Sequence, residues 1–163
     1  MKEQDQDRYF MRLALQQAAL APIVGEIPIA AVLVLRGEIV AVAHNRREIL
    51  QDPTAHAELL VIRKAAEQLR SWRLTGASLY VTLEPCAMCA GAIVQSRIER
   101  LVFGAWDPKA GACGSIFDIP AERRLNHRVE TLGGVLQEES QALLQGFFQQ
   151  LRREGDEREA RPF

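Results

Sequence analysis

His56-Ala57-Glu58 and Pro85-Cys86-Ala87-Met88-Cys89 are the two stretches of this 163-residue sequence whose side chains and spacing could do chemistry. Cys86 and Cys89, at i and i+3, share one face of a helix's first turn, as a common metal ion requires. A helix N-terminus and an adjacent cation both favour the deprotonated sulfurs. One imidazole and two thiolates suit zinc. Three protein ligands leave the fourth tetrahedral position to water, whereas a fourth from Cys113, His44 or His127 would close the site as a structural one. Cys113 lies in a glycine-bordered loop without metal-type spacing and reads as an incidental buried thiol. His44 and His127 read as locally hydrogen-bonded. An open zinc lowers the pKa of its water from about 15.7 toward neutrality, and Glu58 is then the candidate proton carrier. Residues i and i+2 of a helix point about 160° apart, so His56 and Glu58 can face one ion only where the site caps the helix end. The alternative is a glutamate that merely compensates the helix dipole.

These residues need elements to hold them. Asp52-Pro53 reads as an N-cap and a first-position proline, predicting a helix to about residue 69 with Ala55, Leu59, Ile62, Ala66 and Leu69 inward. Residues 78–83 read as a strand, and Pro85 opens a second helix carrying Ala87, Ala90, Ile93 and Val94. Near-3.6 periodicity predicts a helix over 7–20. Two β-branched runs, 29–35 and 39–43, predict antiparallel strands turning at Gly37. A further strand is expected over 101–104, a loop over 105–119, a last helix over 143–151, and a charged tail over 154–163 that frays. Helices alternating with strands predict one α/β domain over 1–153 with a mixed sheet.

Composition narrows the class. The 20 basic and 21 acidic residues leave a net charge of −1, and 48% of residues are hydrophobic, which excludes disorder and collagen. The near-neutral charge makes no case for a nucleic-acid partner except through a local patch. The longest apolar run, 27–35, is broken by Pro28 and falls far short of the roughly 20 residues of a membrane span. The first seven residues are polar and acidic rather than signal-like, so a reducing, intracellular setting is expected. Three cysteines, an odd count, suit metal or thiol chemistry better than disulfides.

His-x-Glu followed by Pro-Cys-x-x-Cys is the signature of zinc nucleobase deaminases. Within that superfamily the chain resembles the bacterial tRNA-specific adenosine deaminases, on residues 52–58, 80–92, 103–105 and 126–130 and across about 7–153. The resemblance implies a cytidine-deaminase-like, three-layer α/β/α fold with a mixed five-stranded sheet. It also implies zinc held by His56, Cys86 and Cys89 with a catalytic water as fourth ligand, and Glu58 as proton shuttle. Asn45 would hydrogen-bond the purine, with Ile29, Ala57, Asp107 and Phe148 also at the substrate. The implied reaction is hydrolysis of the wobble adenosine of a tRNA anticodon loop to inosine, by a cytoplasmic homodimer that makes no use of a membrane. Two positions depart from the pattern: Ala30 stands where glycine is usual, and Trp106 where arginine is frequent, exchanging a phosphate contact for stacking. One rival is a deaminase of free guanine, cytosine or a pyrimidine nucleotide on the same fold. The other is a nonenzymatic RNA-binding module with a structural zinc.

Overall fold

The computed structural model of the chain describes residues 1–159. Strands β1 (Ala30–Leu35) and β2 (Glu38–His44) form an antiparallel hairpin. Arg36 and Gly37 both take positive φ, 53° and 79°, which gives the turn the twist that flanking strands prefer. Strand β3 (Ala77–Leu83) pairs antiparallel with β1 and parallel with β4 (Arg100–Ala105), and β5 (Glu130–Leu132) adds parallel to β4. The sheet order is β2-β1-β3-β4-β5.

Alternation sends two rows of side chains to opposite faces. Val32, Tyr80 and Val102 are register partners and pack against helix α1 (Glu3–Ala18) through Phe10, Met11 and Ala14. Leu33, Leu79 and Leu101 form the other row, packed with helices α3 (Ala57–Leu69) and α4 (Ala87–Gln95). Burial on both faces makes the central strands almost continuously apolar. A short helix, α2 (Arg47–Leu50), precedes α3, and the long α5 (Gln137–Glu159) lies beside β4 and α1. The outcome is the expected three-layer α/β/α fold around a mixed five-stranded sheet.

Several local expectations are corrected. Asp52-Pro53 does not open α3: the Asp52 carboxylate accepts the Thr54 N–H and hydroxyl in a turn, and the helix begins at Ala57 with His56 as N-cap. The fully buried apolar stripe of α3 is Ala57, Val61 and Ala65; of the expected inward face, Ala55 is buried ahead of the helix and Ile62 and Ala66 pack half-buried against the core, while Leu69 is exposed. Pro85 likewise lies one residue before the N-cap, Cys86. The helix expected over 143–151 extends from Gln137 to Glu159. It takes in the described part of the 154–163 tail, and residues 160–163 lie outside the described residues. No described helix is long and apolar enough to cross a membrane.

Candidate active site

The N-termini of α3 and α4 and the C-terminal ends of β3 and β4 meet at one end of the sheet. Open α/β sheets characteristically bind ligands outside the carboxyl ends of their strands. His56 and Cys86 hold extended backbone (φ −72°, ψ 149° and φ −73°, ψ 176°) as the caps of their helices, and Cys89 sits in the first turn of α4. The His56 Nδ1 is 3.7 Å from the Cys86 Sγ and 3.5 Å from the Cys89 Sγ. A tetrahedral zinc with about 2.3 Å to sulfur and about 2.05 Å to nitrogen has N···S edges of about 3.6 Å. The donor set therefore fits zinc in chemistry and in size. It is the only such cluster among the described residues. The other candidates lie elsewhere: His44 Nδ1 meets the Asn45 carbonyl at 2.7 Å, His127 Nε2 meets the Ile98 carbonyl at 2.6 Å, and the Cys113 thiol faces the Pro85 carbonyl.

The electrostatics of the cluster are those of closely packed, partly buried proton-sharing groups. The Cys89 S–H, helped by His56 and opposed by burial, pulls the Cys86 thiol down to about 4. Cys89, sharing its proton with Cys86 and buried, is pushed up. The hydrogen bond to Cys86 raises His56. Burial lifts the Glu58 carboxyl to about 7, within the range a proton carrier needs near neutral pH. Glu58 is 4% exposed, and its Oε2 is a buried polar atom without a partner among the described residues. Such an atom is costly to leave unpaired, and its place beside the donor cluster is where a bound water would satisfy it.

A cavity of about 190 Å³ opens onto this cluster. Its walls include Ile29, Asn45, His56, Ala57, Glu58, Cys86 and Asp107. The structure thus brings eight of the nine residues singled out from sequence to one place, counting the fully buried Cys89 beneath. Phe148 is not among the lining residues; it lies on α5, 42% exposed and edge-on to Phe147.

The chain matches a deaminase family, described as MafB19-like deaminase, over residues 4–152. It is 53% identical over 148 residues to a Bacillus subtilis tRNA-specific adenosine deaminase, covering 91% of this chain and 92% of that one. The chain belongs to the tRNA-specific adenosine deaminase family. A solved structure from work on A-to-I editing by tRNA:A34 deaminases superposes with a TM-score of 0.81 at 48% identity, covering 83% of this chain and 99% of that chain. A guanine deaminase from Nitrosomonas europaea shares the fold at 26% identity and a TM-score of 0.73, over 86% and 83% of the two chains.

For a member of this deaminase family, the cavity has lining residues that sequence reasoning did not assign to it. Ile27, Arg47, Leu83, Glu84 and Ala110 also line it. Leu83 and Glu84 carried a usable signal, since Leu83 ends β3 and Glu84 follows it immediately before Pro85. Glu84 is the loop's anchor. Its oxygens accept the N–H groups of Asp107, Cys113 and Ser115 and the Ser115 hydroxyl, which fixes the loop after β4 against the cavity. Burial works to raise the Glu84 carboxyl, but these hydrogen bonds prevail and hold it below its ordinary value. Trp106, expected to stack on a ligand, packs edge-on against Phe103 at a centroid distance of 4.7 Å. Room for its ring depends on Gly133, where a Cβ would lie 2.6 Å from the indole.

Proposed function

We propose that this chain hydrolyses adenosine to inosine at the wobble position of a tRNA anticodon, using one zinc ion per subunit held by His56, Cys86 and Cys89. The observation that carries the reading is the unpartnered Glu58 Oε2, buried beside a zinc-sized donor set at the floor of a cavity. Zinc bound there supplies Lewis-acid activation of a water molecule. Glu58 takes a proton from the attacking water, hands it to the ring nitrogen N1, and supports the second transfer by which ammonia leaves C6. Ile29, Ala57 and Asp107 bound the base, and Asn45 hydrogen-bonds it. An anticodon loop suits so small a site because its bases splay out without opening a duplex.

The choice of tRNA over a free base is supported by 53% identity to a tRNA-specific relative, against 26% to a guanine deaminase. We further infer a single catalytic domain over 1–153 acting as a cytoplasmic homodimer, which sedimentation tests for assembly. The deciding experiment reads inosine by sequencing in an anticodon stem-loop with a wobble adenosine, assays free guanine and cytidine in parallel, and uses Glu58→Ala as control. Conversion of the RNA alone is the expected result. Conversion of a free base alone would assign the zinc chemistry to a nucleobase deaminase, and no conversion by the zinc-loaded chain would leave a structural-zinc module.

A further inference from the structure

Glu26 takes no part in the chemistry above, yet it is a carboxylate with 0% exposure. Burying such a group is costly unless its oxygens are satisfied, and here both are. Oε1 accepts the backbone N–H of Ile49 at 2.6 Å, and Oε2 accepts the side-chain Nδ2–H of Asn45 at 2.9 Å. A local turn places it. The 3-10 turn Ala21–Val24 ends at Gly25 with φ 78°, and the Glu26 N–H donates back to the Ala21 carbonyl.

Asn45 lines the cavity, and with Nδ2 committed to Glu26 its Oδ1, which accepts no hydrogen bond from a described residue, is the amide atom available to a bound base. An asparagine amide can ordinarily flip and show either end to a ligand. Here the flipped state would set Oδ1 against a carboxylate oxygen. We propose that Glu26 is a positioning residue that fixes the polarity of Asn45, and through it the hydrogen-bonding pattern by which the cavity selects its base. This rests on the deaminase reading of the cavity. Because Glu26 also holds Ile49, it ties the short helix α2, which carries the cavity residue Arg47, to the same point.

Glu26→Gln tests the idea by reversing the amide. The Ile49 N–H still needs an oxygen, so the new side-chain NH2 faces Asn45, which must turn its Oδ1 inward and its own NH2 toward the base. With the zinc-loaded full chain and the anticodon stem-loop, KM is expected to rise by about tenfold or more, with kcat within about threefold and zinc content unchanged. Adding Asn45→Asp places at position 45 a carboxylate that accepts from the new amide and again offers an oxygen to the cavity, so KM returns toward wild type. An unchanged KM in Glu26→Gln overturns the proposal, and so does an equal rise when Asn45 is already alanine. If Glu26→Gln does not fold, the paired variant decides, a KM as high as that of Asn45→Ala counting against. Inactivity of the wild-type holoenzyme on RNA would instead overturn the functional reading. The Asn45 side-chain NH2 resonances in NMR then judge this proposal separately: they move in Glu26→Gln if it holds and stay in place if it fails.

Discussion

His56 and Glu58 are two positions apart and face the same cavity because α3 begins between them. His56 is still extended while Glu58 is already helical, so the 160° divergence of an i, i+2 pair within a helix does not apply. In this chain the helix end is what lets two side chains at i and i+2 face one point. That is also where the first turn of α4 presents Cys86 and Cys89.

Cys86→Ala and Cys89→Ala are each expected to lose bound zinc, measured by elemental analysis after dialysis. Glu58→Ala should keep the metal and lose about 10²–10⁴-fold in turnover. A full zinc equivalent in either cysteine variant contradicts the ligand set.

Glu84→Ala removes the acceptor for three backbone N–H groups. Hydrogen exchange at Asp107, Cys113 and Ser115 should accelerate in this variant while exchange in β1 stays protected. Unchanged protection at those three amides would show that the loop is held by something else.

Asp7, 2% exposed, is held by a bidentate contact from Arg100, which also meets Glu130. Removing one partner of a buried pair strands the other, so Arg100→Met should destabilise the fold by about 3–5 kcal/mol. Urea unfolding checks this, and a loss under about 1 kcal/mol would place the pair among surface bridges.

The Tyr80 hydroxyl donates to Asp7 at 3.1 Å, and burial followed by the Asp7 charge raises its phenol well above the usual range. The unfolded chain ionises this tyrosine near pH 10 while the folded chain keeps it neutral. Its contribution is thus intact below about pH 10 and is lost as pH rises beyond, by up to about 1.4 kcal/mol per pH unit. Stability measured between pH 8 and 11.5 should fall more steeply in wild type than in Tyr80→Phe. Parallel curves would refute the assignment.

Gly104 has no room for a methyl group: a Cβ would lie 2.6 Å from the Thr82 carbonyl and collide with the Ser140 hydroxyl. Gly104→Ala should cost about 1–3 kcal/mol by overpacking. Its urea midpoint, compared with that of Gly146→Ala, where the space is open, separates crowding from backbone effects.

The apolar runs of β1 and β3 and the period of α1 were legible because burial on a face leaves a repeat in the chain. The start of α3 was misread because Asp52-Pro53 imitates a helix start, while the turn it makes with Thr54 ends before the helix begins. Strand β5 is three residues, Glu130-Thr131-Leu132, largely exposed and patternless; its place comes from pairing with β4. That His56, Cys86 and Cys89 come together beside Glu58 was legible because metal chemistry restricts residue type and spacing. Glu26 was not, since a lone glutamate has the signature of a solvated charge and only the folded chain shows it buried.

Thirty positions separate His56 from Cys86, with all of α3 and β3 between them. In an unfolded chain those side chains meet only by closing a loop whose entropy cost is on the order of 3–4 kcal/mol. A metal gripping both ends would therefore act as a tether, its affinity and the thermal midpoint becoming linked quantities. Weakening the sheet would loosen the grip on such an ion, and withdrawing it would narrow the temperature range over which the two helices stay docked.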